Sequence, residues 1–108
     1  MYCLGIESTA HTFGASVVAD NGKILSDVRD VYTSAPGSGI HPREAAEHHS
    51  EVASRVVAES LEQASVKTSD LSGIAIALGP GLGPCLRVGA TVARSLAAYF
   101  RVPLAPVN

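Results

Sequence analysis

No run of about eighteen apolar residues occurs in the chain, which excludes a transmembrane helix. The apolar amino-terminal stretch is short and has no basic flank, so it does not read as a secretion signal. Cysteine is nearly absent: Cys3 and Cys85 are alone, and they read as two free buried thiols in a reducing, cytoplasmic setting. Charge is scarce as well, at 17% of residues with a net charge of -2, so there is no basic excess to draw in a polyanion. Contact with nucleic acid would have to come from a local patch or a partner subunit. There is no P-loop lysine, no dinucleotide fingerprint, and no serine or cysteine paired with a base at a recognisable spacing. What remains is a globular chain of 108 residues, 46% hydrophobic, with length for one core and little room for a second lobe.

Three strands are expected first: Tyr2 to Glu7, Phe13 to Ala19 and Lys23 to Val31, the last two joined by the hairpin residues Asp20-Asn21-Gly22 and paired antiparallel. A Gly- and Ser-rich loop from Ser34 to Ile40 follows. Pro42 marks the first turn of a helix running to about Ala64, with Glu44 and Glu47 where the helix dipole favours acids. Its stripe of Ala45, Ala46, His49, Val52, Ala53, Val56, Val57, Leu61 and Ala64 steps by three and four. The unbroken apolar run Gly73 to Leu78 reads as a central parallel strand covered on both faces. A helix is expected from Cys85 to Phe100, with Arg87, Arg94 and Arg101 on its wet side and small residues from Gly89 to Ala98 that allow close packing. Val102 to Val107, interrupted by Pro103 and Pro106, reads as an edge strand. The order βββαβαβ is that of an α/β, ribonuclease-H-like half-domain with a mixed sheet, as used by the actin, sugar-kinase and heat-shock ATPase superfamily.

Two stretches carry chemistry. The polar turn between the first two strands, Glu7-Ser8-Thr9-Ala10-His11-Thr12, offers backbone N–H groups and the hydroxyls of Ser8, Thr9 and Thr12 to a phosphate. Glu7 is the candidate to orient a water or a metal, and His11 to donate to an anion or carry a proton. An ordinary hairpin with a polar tip is the plain alternative. The second stretch, Gly79 to Pro84, places Gly79, Gly81 and Gly83 between a buried strand and a helix start, where a backbone comes close to an anion. A structural tight turn explains it equally well. His41 and His48 lie two helical turns apart, roughly 10 Å, too far to share one ion, so His41, His48 and His49 read as two surface imidazoles and a partly buried one.

Taken in order, "GIESTAHTFGASVV", "GSGIHPREAAEHHSEV" and "ALGPGLGPCLRVGATVARSLA" followed by "PVN" resemble the amino-terminal half of the tRNA threonylcarbamoyladenosine synthase family, in its archaeal and eukaryotic form. Older usage calls that family O-sialoglycoprotein endopeptidase. The resemblance runs over residues 1–108 as one amino-terminal subdomain of a two-lobed protein. It implies transfer of threonylcarbamoyl from threonylcarbamoyl-adenylate to the adenine beside the anticodon, with ATP or the adenylate in the cleft between lobes. It also implies an iron or zinc ion, but the family's His-x-x-x-His comes just after the Val-Asn that ends this sequence. No metal ligand carries over, and the chain alone is expected to be inactive. The implied partners are tRNA, the kinase-like and small dimerisation subunits of the KEOPS complex, and a second copy through helices 42–64 and 85–100. The alternative within the same fold is a non-catalytic dimerisation scaffold.

Overall fold

A computed structural model describes residues 1–108 in the order β1 (Tyr2–Glu7), β2 (Thr12–Ala19), β3 (Ile24–Val31), α1 (Pro42–Ala64), β4 (Leu71–Ala77), α2 (Gly83–Phe100) and β5 (Leu104–Val107), with a 3-10 turn at Thr68–Asp70. β2 and β3 turn at Gly22, whose φ of 86° lies in the region that favours glycine. The Asn21 side chain accepts from the Lys23 N–H beside it, which delays β3 to Ile24. The sheet order is β3-β2-β1-β4-β5, with β1–β2 and β2–β3 antiparallel and β1–β4 and β4–β5 parallel. This is the mixed α/β arrangement expected from the sequence.

One face of the sheet carries the core. Leu4, Ile6, Phe13, Ala15, Val17, Ile74 and Ile76 are buried beneath Ala53, Val56, Val57 and Leu61 of α1 and Ala93 and Ala97 of α2. Each large aliphatic side chain buried there stabilises the fold by about 1.5–3 kcal/mol. The opposite face is built from small residues. Gly5, Gly14, Ser16, Ala75 and Ala77, with Glu7 and Arg29 at one end, line an open depression of about 340 Å³. This corrects the expectation for β4: Ile74 and Ile76 are covered, whereas Gly73, Ala75 and Ala77 on the other face are only half-buried. The apolar run is continuous because that second face uses small side chains, not because helices cover it. β4 also begins earlier than expected, at Leu71, and β5 later, at Leu104, because Pro103 contributes only its carbonyl, which accepts from Ile74 N–H at 3.0 Å.

Two buried serines fasten α1 to the sheet. A bulge between Val17 and Val18 disturbs the β2–β3 ladder, and the Val17 N–H donates to Ser26 Oγ at 3.0 Å. Ser26 Oγ lies 2.8 Å from Ser60 Oγ, which donates to the Ala15 carbonyl at 3.0 Å. Since Ser60 gives its proton to Ala15, Ser26 must give its own to Ser60, and the chain of donors is complete. α2 lies just as close to the sheet: a Cβ built on Gly89 would stand 2.2 Å from Ser8 Oγ, so only glycine permits that approach.

Candidate active site at the carboxyl ends of the parallel strands

Because β1 and β4 are parallel, the segments that leave them emerge at the same end of the sheet. The first is the polar turn. Glu7 Oε1 accepts from Thr9 N–H at 2.6 Å and from Thr9 Oγ1–H at 2.5 Å, closing the turn on its own carboxylate. Thr12 opens β2 and is half-buried, and His11 is exposed, its carbonyl accepting from Tyr32 N–H at 2.7 Å. Ser8 departs from expectation. It is 1% exposed and donates to the Cys85 carbonyl at 2.8 Å, so its hydroxyl ties the turn to α2 and is closed to a phosphate.

The second segment is the glycine-rich loop. Gly79 has φ of 140°, a conformation that suits only glycine, and its peptide bond to Pro80 is cis. Leu82 N–H donates to the Thr9 carbonyl at 2.7 Å, and a Cβ on Gly81 would lie 2.3 Å from that oxygen. The two motifs therefore touch, and glycine at 81 is what lets them. Gly83, expected in the loop, forms the first turn of α2, and a Cβ there would meet Arg87 Nη1 at an ordinary 3.7 Å. The structure thus joins Glu7 and Thr9 to the Gly79–Gly81 loop through the Thr9 carbonyl, leaves Thr12 half-buried at the start of β2, turns Ser8 inward, leaves His11 exposed and places Gly83 in a helix.

Behind the turn lies a group that sequence reasoning placed differently. His49 is fully buried, and its Nε2 donates to the Ala10 carbonyl at 2.7 Å. Its Nδ1 is 3.0 Å from Nδ1 of His48, whose Nε2 lies 2.7 Å from Asp30 Oδ1. Arg55 binds the other Asp30 oxygen. His48 is therefore no surface imidazole: its side chain is 17% exposed, wedged between α1 and β3. Of the three histidines, His41 alone is exposed. Burial pushes the His49 imidazole below its ordinary value, with partial relief from the Ala10 carbonyl. The hydrogen bond from His48 holds the Asp30 carboxyl below the usual range, and Arg55 adds to it. Both folded values are lowered, so each contributes stability that is complete above the unfolded value, about 6.5 for His and 3.9 for Asp. That stability is lost as pH falls through the folded value.

Burial raises the thiols of Cys85 and Cys3, which keeps both protonated and unsuited to nucleophilic work. The cysteines are free. No group of three His, Cys, Asp or Glu side chains is placed to hold a metal ion, so these residues do not fit the iron or zinc that the resemblance implies. No helix is long and apolar enough to cross a membrane.

A family model described as tRNA N6-adenosine threonylcarbamoyltransferase, TsaD, matches residues 23–108. Proteins of that description from Hyperthermus butylicus and Methanopyrus kandleri are each 56% identical to this chain over its whole length, which spans 30% and 31% of theirs. The chain thus covers about a third of the curated relatives it matches. Among solved structures, YeaZ from Pseudomonas aeruginosa superposes on 99% of this chain and 42% of its own with a TM-score of 0.77 at 20% identity. RuvC of T. thermophilus, in complex with Holliday junction substrate, does so on 99% and 64% with a TM-score of 0.58 at 17% identity. At those identities the likeness is one of fold, and it confirms the ribonuclease-H-like architecture. The match of the family model over most of the chain carries more: this chain belongs to the tRNA N6-adenosine threonylcarbamoyltransferase family.

Proposed function

We propose that the chain forms the adenylate-binding side of an enzyme that transfers threonylcarbamoyl from threonylcarbamoyl-adenylate to the adenine beside the anticodon of tRNA. The observation that carries this reading is the junction of two loops at the carboxyl ends of parallel strands, held by Leu82 N–H on the Thr9 carbonyl and by the close approach at Gly81. Open sheets of this kind bind ligands at that end. In this reading backbone N–H groups of the Gly79 to Gly81 loop and the hydroxyl of Thr12 face the phosphate of ATP or the adenylate, whereas Thr9, whose hydroxyl proton is held by Glu7, shapes the turn. Glu7 fixes the turn and orients water, and His11 stands at the rim as a donor. The metal ligands lie outside these residues, in the remaining two thirds of a family member's length.

In this reading the enzyme works in the cytoplasm, where its tRNA substrate is available. The test is incorporation of labelled threonine into tRNA. A longer polypeptide that continues this chain to the length of its relatives is expected to label tRNA, and residues 1–108 alone are not. Labelling by the short chain, or none by the long one with its adenylate supplied, overturns the reading.

Partners are proposed at the helices, as KEOPS-type subunits or a second copy. Val57, Leu61, Val92, Leu96 and Phe100 line a groove of about 510 Å³ between α1 and α2, and Tyr99 beside it is 82% exposed. A single monomeric species in sedimentation from micromolar to millimolar concentration would remove the second-copy arm.

A further inference from the structure

His48 and His49 are adjacent in sequence yet face different partners, and the identity of those partners fixes their protons. The Ala10 carbonyl can only accept, so His49 Nε2 carries hydrogen. Asp30 is held ionised by Arg55, so His48 Nε2 carries hydrogen too. The Nδ1 to Nδ1 contact at 3.0 Å needs one more, because two lone pairs at that distance repel. Two neutral imidazoles own two protons between them, and this arrangement requires three.

We propose that His48 and His49 form a proton-sharing pair, with three protons over four ring nitrogens and one positive charge, that positions the polar turn for its ligand. The turn's ligand rests on the transferase reading; the proton count does not. The charge belongs on His48, which faces the Asp30 carboxylate, and not on His49, which is fully buried against a neutral carbonyl; His49 is then neutral and its Nδ1 accepts. Both histidines are positioning residues, since neither touches the reacting groups.

The surroundings suit a single charge. From β3 the pair meets the Asp30 carboxylate, and the Tyr32 ring lies 5.9 Å from His48 with its hydroxyl donating to Glu44. From α1, Arg55 neutralises the rest of Asp30 and is itself shared with Glu59. Glu7 of β1 favours a charge on His49 and His11 of the turn opposes one. β2 offers the Phe13 ring, 6.0 Å from His49. The Cys85 thiol of α2 reaches the Pro42 carbonyl at 3.8 Å.

When the bridging proton leaves His48 Nδ1 for solvent, the imidazolium becomes a neutral ring that keeps Nε2–H on Asp30. Two Nδ1 lone pairs then face each other, and the His49 ring, with the Ala10 carbonyl it holds, loses its support. A further proton on His49 Nδ1 at low pH breaks the same contact from the other side. The turn is held between these two events.

The test is imidazole proton counting on the 15N-histidine-labelled chain by long-range 1H–15N spectra between pH 5 and 9. Near neutral pH, His48 is expected as an imidazolium and His49 as the neutral Nε2–H tautomer. Backbone signals of Thr9 and Tyr32, whose amides bond to Glu7 and to the His11 carbonyl, are expected to shift with the same upper midpoint as the pair. In His48→Gln that midpoint is expected to vanish from the turn. The Thr9 and Tyr32 amides there are expected to exchange about tenfold faster at fixed pH, the scale of one lost hydrogen bond, with exchange in the middle of α1 unchanged. Two neutral rings at neutral pH, or turn amides indifferent to the pair, would overturn the proposal. The labelled wild-type titration decides even if His48→Gln does not fold, and no outcome depends on transfer activity.

Discussion

Replacement of Phe13 by alanine is expected to lower the stability of the chain by about 3–5 kcal/mol. Phe13 heads the largest fully buried side chains, at 0% exposure, and belongs to the apolar core cluster. A domain of this size has about 5–15 kcal/mol in all, so the variant should retain between none and about four fifths of its stability. Urea unfolding followed by circular dichroism would read this as a fall in midpoint at unchanged slope. Phe13→Leu keeps most of the volume and should cost less than about 1.5 kcal/mol. Equal losses in the two variants would show that packing at Phe13 is not the cause. The position also matters for the site: Phe13 follows Thr12 directly and packs on His49, so the residue that anchors β2 in the core also fixes the exit of the polar turn.

Gly81→Ala is expected to act in the opposite way, with a large effect on function and a smaller one on stability than Phe13→Ala. Its Cβ would stand 2.3 Å from the Thr9 carbonyl oxygen and 2.9 Å from Thr9 Cα, backbone atoms that cannot rotate aside. The two loops must part, and the Leu82 N–H to Thr9 bond breaks. Gly81 is exposed and the loops can part toward solvent, so unfolding free energy should fall by about 1–3 kcal/mol, the cost of relieving the overlap together with one lost hydrogen bond. A shift on the order of 1 Å in groups that position a reacting substrate costs about a hundredfold in rate, and that loss is expected in tRNA labelling by the longer polypeptide. Gly39→Ala, whose Cβ would meet nothing within 4 Å, is the matched control and should change neither quantity. Normal labelling by Gly81→Ala would separate the loop junction from the chemistry.

The elements were legible in the sequence where local rules govern them. Alternation and Asp20-Asn21-Gly22 gave the hairpin, and the three- and four-residue steps from Pro42 gave α1 with the bounds observed. The two site loops could be recognised for their composition, but not their contact, because the Leu82 to Thr9 bond depends on the parallel register of β1 with β4. The same limit explains Ser8. A hydroxyl in a polar turn looks available until α2, starting at Gly83, is laid against it through Gly89. Ser60 interrupts the apolar stripe of α1 with no local signal of its burial, since its partners Ser26 and Ala15 are on other elements. His48 read as a surface residue because its doublet neighbour took the buried face, while Asp30 waits across the interface on β3. No spacing along the chain signals a partner that only packing brings near.

The strand order also sets a timetable for synthesis. β1 is made first and ends in the middle of the sheet, paired with β2 on one side within a few residues. Its other edge stays unpaired until β4 emerges, after the whole of α1 has been made. An open strand edge invites intermolecular pairing, and long-range parallel pairing forms slowly because the intervening loop must be closed first. A chain held on the ribosome after Val31 has emerged and before Leu71 has would therefore present a three-stranded meander with a vacant edge, a state open to misassembly and to capture by a chaperone.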